Sequence, residues 1–185
     1  MGFLFERNST YEEFKLEIIL AGYGGQGIIL SGIILGSAGI YDNKNVVQVQ
    51  SYGPEARGGA CKSEVIISDN PIYYPLVQNA DMLLAMSQEA LDKYVYLLKP
   101  DGVLIVDSDL VKNAPFNNVH KIPATDLAFQ KFQRRIVANM IMLGSIIRIT
   151  KVVTYQALEK AIIENVPKNT EEINLKAIKL GYNYG

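Results

Sequence analysis

The chain reads as an α/β protein: a mostly parallel sheet with helices on both faces and a helical C-terminal third. Three observations predict this. A short apolar run at 16–21 leads through Gly22-Tyr23-Gly24-Gly25-Gln26-Gly27 into a long apolar segment ending at Tyr41, the strand–turn–helix opening of a βαβ unit. Short apolar strands then alternate with helical stretches as far as residue 122. Beyond that point only helical periodicity remains. Together they define a Rossmann-like three-layer sandwich.

Residues 1–15 are polar and read as a frayed or helical lead-in. The first strand is 16–21 and the first helix 26–41. Gly32, Gly36 and Gly39 share one face of that helix. Each costs about 1 kcal/mol relative to alanine, so something must pack close there, either the sheet beneath or a partner chain. Asn43–Asn45 is a turn, and 46–50 is a second strand with Val47 and Val49 alternating against Gln48 and Gln50. A second glycine-rich loop spans 51–59. Strand three is 60–68, stopped by Asp69-Asn70-Pro71. Strand four is 82–86, and Ser87 caps a helix over 88–98. Pro100-Asp101-Gly102 turns into strand five at 103–107, and 119–122 makes a sixth. The apolar series Leu127, Phe129, Phe132, Ile136, Met140, Leu143 and Ile147 predicts a helix across 125–149. Thr154 and Asn169 cap two terminal helices, Asn169 with Glu172 as a capping box, and Gly181 is a helix stop.

At 185 residues a single domain is expected. With 49% hydrophobic and 20% charged residues the composition is that of an ordinary globular protein. A net charge of −1 offers no whole-chain attraction to nucleic acid or to an anionic membrane. The single cysteine, Cys61, excludes an intramolecular disulfide and an iron–sulfur cluster held by this chain alone. The single histidine, His120, excludes a histidine-rich metal site. The N-terminus lacks a basic stretch followed by a long apolar one, and the apolar run at 28–41 is shorter than the ~20 residues that span a bilayer. The expected location is the cytoplasm.

Gly22, Gly24 and Gly27 have the G-x-G-x-x-G spacing of a dinucleotide fingerprint. That fingerprint also wants an acid at the end of the second strand for ribose hydroxyls. Here the strand ends Gln48-Val49-Gln50-Ser51. The helix N-terminus still offers backbone N–H groups to a phosphate or carboxylate; equally, the glycines admit another chain's backbone. In the second loop, Tyr52, Glu55 and Arg57 stand on a glycine backbone before Gly58. Arg57 suits bidentate contact with a carboxylate or phosphate, or pairs within the chain to shape the loop. Other candidates have simpler structural uses. Cys61 beside Lys62 reads as packing, Asp107 and Asp109 as turn or capping groups, and His120 as solvated or structural. Arg134, Arg135 and Asn139 read as a charged face or an anchor for a loop or partner. No nucleophile–base–orienter set is legible, so neither catalytic nor metal-binding residues are assigned.

With these motifs in place the chain resembles the gamma subunits of 2-oxoacid:ferredoxin (acceptor) oxidoreductases, most closely the 2-oxoglutarate type. The resemblance rests on residues 21–27, on Gln48-Val49-Gln50-Ser51-Tyr52-Gly53-Pro54-Glu55-Ala56-Arg57-Gly58-Gly59, and on Lys62-Ser63-Glu64 after it. It continues through Ser87-Gln88-Glu89-Ala90, Asp107-Ser108-Asp109, Ala138-Asn139-Met140 with Leu143-Gly144, and Asn174-Leu175-Lys176-Ala177 with Gly181-Tyr182. It spans residues 15–183 and implies a single gamma-type domain over 1–185, with 1–14 as an extra segment. Phe129-Gln130-Lys131-Phe132-Gln133 is bulkier than the family pattern before the Arg-Arg pair.

The resemblance implies a complex that converts a 2-oxoacid, CoA and an oxidised acceptor into acyl-CoA, CO2 and a reduced acceptor. For 2-oxoglutarate and ferredoxin the products are succinyl-CoA and reduced ferredoxin. Thiamine diphosphate, Mg and Fe–S clusters are expected in the alpha, beta and delta partner subunits, with this chain inactive alone. CoA or a partner surface is expected at Gly22, Gly24, Gly25, Gln26, Gly27, Tyr52, Arg57 and Gly58. The chain alone could pair as a homodimer. The competing reading is a stand-alone NAD(P)- or flavin-binding protein.

Overall fold

The computed structural model describes residues 14–51 and 59–184. The order is β1 (Lys15–Tyr23), α1 (Ile28–Tyr41), β2 (Asn45–Gln50), β3 (Ala60–Ser68), β4 (Ala80–Ala85), α2 (Gln88–Tyr94), β5 (Leu98–Asp107), β6 (Val119–Ile122), α3 (Ala124–Phe132), α4 (Ala138–Thr150), α5 (Tyr155–Asn165) and α6 (Glu171–Tyr184).

The six strands form one sheet in the order β2-β3-β1-β4-β5-β6. From β1 through β4 and β5 to β6 every pairing is parallel. Only β3 runs against its neighbours, antiparallel to both β1 and β2. The expected sheet is therefore present with one rearrangement. The βαβ opening does not place β2 beside β1, because β3 returns from β2 and inserts between them.

Alternation along β1 divides the core. Leu16, Ile18 and Leu20 face a layer made by α1 and α3–α6. Ile19 and Ala21 face the other side, where α2 packs with Ile66, Leu83, Leu104 and Val106. Helices do lie on both faces, but α2 alone serves one of them. The glycine face of α1 meets the sheet beneath, with Gly32 over Ser63 and Gly39 over Val46 and Ile67.

Several boundaries differ from expectation. Residues 125–149 are not one helix: Gln133 turns left-handed at φ 56 and closes α3, a 3-10 turn follows at Arg135–Val137, and α4 starts afresh. Periodicity spans the break because both helices bury apolar residues against the same sheet face. The helix after Ser87 ends at Tyr94 and passes through a 3-10 turn into β5, which begins at Leu98 rather than 103. Asn169 lies outside α6 at φ 69, and the first helical bond runs from Asn174 N to Thr170 O. Gly181 does not stop α6, which continues to Tyr184. Its role is close packing, since Gly181 lies against the Ile141 backbone of α4. The expectations for residues 1–13 and for Tyr52, Arg57 and Gly58 fall outside the described residues.

Candidate functional site

The first glycine loop leaves the carboxyl end of β1. From β1 the chain crosses by α1 to one side of the sheet, and β4, β5 and β6 lie on the other. The crevice between the ends of β1 and β4 is thus the topological switch point, where open α/β sheets place their ligands.

Here the crevice is bridged by the loop's own side chain. The Gln26 carboxamide donates from Nε2 to the Met86 carbonyl at 2.9 Å and accepts the Tyr23 N–H at 2.6 Å. Met86 N in turn donates to Ala21 O at 2.8 Å, so the exits of β1 and β4 are laced together. A side chain at position 22 would collide with this lacing: a Cβ there would stand 2.5 Å from Gln26 Oε1 and 2.8 Å from Ile28 Cδ1.

Gly27 ends the loop in the left-handed region, at φ 75, as the N-cap of α1. Its carbonyl accepts Ser31 N at 2.9 Å, Ser31 Oγ at 3.0 Å and the Asn139 amide at 3.4 Å. A Cβ at 27 would run into the same amide, with Asn139 Cγ at 3.2 Å and Nδ2 nearer still. Gly22 and Gly27 therefore admit the chain's own Gln26 and Asn139. Two of the three fingerprint glycines are accounted for without any ligand.

What stays open is the lip. Tyr23, Gly24 and Gly25 are exposed, and a Cβ at Gly25 would meet nothing within 4 Å. Behind the lip, α1 begins with no side-chain cap and no acidic residue in its first turn. Its first N–H groups and its dipole favour a negatively charged group.

The start of β3 comes to this edge, where Tyr23 pairs with Ala60. Directly inside it, Lys62 bonds Glu64 at 2.6 Å, with Glu64 only 6% exposed. The Lys62 ammonium also sits 5.6 Å from the Tyr94 ring centroid, and the Tyr94 hydroxyl donates to Ala60 O at 3.2 Å. These contacts pin the start of β3 to α2. Gln50, at the end of β2, buries its Oε1 without a partner among the described residues.

The other candidates take structural places. The Thr125 hydroxyl donates to Asp107 Oδ2 at 2.6 Å, and Asp109 N donates to Asp107 Oδ1 at 3.1 Å. Asp109 in turn accepts Asp126 N at 2.7 Å, so the pair caps α3 from the end of β5. Burial raises the Asp107 carboxyl above the usual range, against those hydrogen bonds. Ser87 caps α2 through Ala90 N. His120 lies half-buried on β6, and burial lowers its pKa. Cys61 is half-buried on β3 beside the larger core. Arg134 and Arg135 are exposed, Arg135 lying over the Phe129 ring at 5.1 Å. Among the described residues, no cluster of three or more His, Cys, Asp or Glu suited to a metal occurs, and none of their helices is long and apolar enough to cross a membrane. Asn139 does anchor a loop, one of the uses its sequence context suggests, but no spacing rule joins it to Gly27 or joins Gln26 to Met86.

The dinucleotide reading finds no support here. β3 occupies the place beside β1 from which a second-strand acid would reach a ribose, and Gln26 bridges the crevice. Fold and edge together define an open α/β protein that presents a braced glycine lip at its switch point.

The chain belongs to the pyruvate ferredoxin/flavodoxin oxidoreductase family, whose pattern matches residues 17–184. It is 51% identical over 180 residues to 2-oxoglutarate synthase subunit KorC of Methanocaldococcus jannaschii, covering 95% of this chain and 96% of that one. The corresponding subunit of Methanothermobacter thermautotrophicus is 48% identical, over 91% and 94% of the two chains. Among solved structures, the gamma subunit of a keto/oxoacid ferredoxin oxidoreductase from Geobacter sulfurreducens superposes with a TM-score of 0.81 at 48% identity. That match covers 91% of this chain and 96% of the other.

Proposed function

We propose that this chain is the gamma subunit of a 2-oxoglutarate:acceptor oxidoreductase. The complex makes succinyl-CoA and CO2 and passes electrons to ferredoxin or a similar acceptor. The near-full-length likeness to KorC subunits supports the substrate, and the likeness to a gamma subunit supports the place in the complex. Alpha, beta and delta subunits are its partners. Thiamine diphosphate, its Mg and the Fe–S clusters belong to those chains. One cysteine here fits no cluster, and the sequence has no Gly-Asp-Gly diphosphate–metal motif.

The lip at Tyr23–Gly25 carries the reading of what this chain contributes. It is held rigidly from below by Gln26 and Asn139 and open above. In the complex it forms, with the Tyr52–Gly58 segment, a contact for a CoA phosphate or a partner carboxylate, Arg57 supplying the charge. The chain is needed by the holoenzyme and inactive alone.

Reconstitution tests this. Omitting the chain abolishes succinyl-CoA formation from 2-oxoglutarate. Arg57→Ala raises the KM for CoA or weakens assembly. Unchanged KM and assembly with Arg57→Ala would rule out the contact, and pyruvate turning over faster than 2-oxoglutarate would rule out the substrate.

A further inference from the structure

The lip is set from a distance of more than a hundred residues, and the chain of contacts is explicit. Asn139 is 4% exposed, at the start of α4. Its Oδ1 accepts Met140 N at 2.9 Å, which fixes the amide so that Nδ2 faces Gly27. There it bonds the carbonyl and fills the space a Cβ would need on the residue that ends the loop. The helix carrying it has little freedom, because α4 and α6 cross backbone to backbone. A Cβ at Gly144 would lie 2.8 Å from Tyr182 N and 2.9 Å from the Ile178 carbonyl carbon. Contacts to backbone of this kind cannot be relieved by a change of side-chain rotamer.

We infer that Asn139 is a positioning residue. It transmits the seating of the C-terminal helices to Gly27 and so fixes the height and tilt of the Tyr23–Gly25 lip against whatever docks there. Gln26 ties the same loop on its other side, to β4. The lip is therefore clamped between sheet and helical layer, which explains how an exposed stretch with two glycines can present one geometry. This rests on the reading of the lip as a CoA or partner contact.

The test uses Asn139→Asp, which keeps shape and the acceptor for Met140 N but removes the donor to Gly27. The matched control is Asn174→Asp, the same change at another buried asparagine, which bonds Thr170 instead. Amide exchange of Gln26 and Ser31 is read on the full chain, and kinetics and assembly on the reconstituted complex. Asn139→Asp should speed exchange at both amides about three- to tenfold, the equivalent of one hydrogen bond. It should also raise the KM for CoA, or weaken assembly, by a similar factor with kcat changing less. Asn174→Asp should move neither. Unchanged loop exchange in Asn139→Asp, or equal effects in the control, overturns the inference and leaves the contact reading to the Arg57 test. Faster exchange with unaltered KM and assembly overturns the contact reading, and the positioning role falls with it.

Discussion

Alanine at Gly181 sets two effects of known sign against each other. Gly181 lies inside α6, where alanine gains about 1 kcal/mol of helix propensity over glycine. Its new Cβ, however, would stand 2.6 Å from the Ile141 carbonyl carbon and 2.9 Å from Ile141 Cα, with the carbonyl oxygen closer still. Carbon atoms in good contact sit about 3.5–4.0 Å apart, so α4 and α6 must part by roughly 1 Å. The obstacle is helix backbone and cannot rotate away. Parting also strains the bond from Ser145 Oγ to Gly181 O, 3.0 Å here. Overpacking of this kind costs about 1–3 kcal/mol or more, and the rigid obstacle puts Gly181→Ala at the upper end, leaving a net loss of about 2 kcal/mol after the propensity gain. For a domain of this size that lowers Tm by about 4–8 °C. Gly36→Ala is the internal contrast. Its Cβ would meet only Val46 Cγ1 at 3.3 Å, which needs to give by a few tenths of an ångström, and Gln48 Cβ at 3.8 Å, an ordinary contact, with no backbone in the way. There propensity wins, and Tm stays level or rises. The assay is a thermal melt of the purified chain followed by circular dichroism. A Gly181→Ala variant as stable as the parent, or more so, would refute the reading of the α4–α6 crossing.

Two further perturbations follow from single contacts. Thr154→Ala removes the cap that accepts Ala157 N at 3.2 Å and the hydroxyl that donates to Asp42 at 2.7 Å; it should cost about 1 kcal/mol in a denaturant melt, and a variant of parental stability refutes the cap's contribution. His120 is held below its ordinary pKa of 6.5 by burial, so the unfolded chain takes up a proton that the folded chain resists. Its contribution is fully present above 6.5 and is lost as pH falls from there toward the folded value. Because it is the only histidine, subtracting the stability–pH curve of His120→Gln from that of the parent isolates it, and a difference that does not change with pH in this range refutes the assignment.

Most of the fold was legible because its signals are local. Strands three and six were located to the residue, and the Ser87 and Thr154 caps sit where a side-chain oxygen precedes a helical run. What escaped is set by long-range packing. Nothing local says that β3 inserts between β1 and β2; that follows from antiparallel return and from competition for β1's edge. The break at Gln133 was hidden because apolar spacing on either side points to the same sheet face. Gly181 looked like a stop because glycine near a chain's end usually is one, whereas here it serves a crossing with a helix some forty residues earlier.

The fingerprint glycines show the same division at the site. Sequence spacing reports that residues 22 and 27 must lack a Cβ, and the structure agrees, but spacing is silent on what fills the room. Gln26 and Asn139 fill it from within the chain. A dinucleotide loop keeps that space for a pyrophosphate approaching the backbone; this loop spends it on two carboxamides that make it stiff. The glycines therefore argue for a surface held in one shape, and Gly25, with open space around it, is where an approaching group has room to dock. That division explains how a chain with one cysteine, one histidine and no metal cluster among its described residues can still matter to a redox reaction. Under the proposed function it contributes geometry at an interface, while the electron chemistry runs in the partner chains.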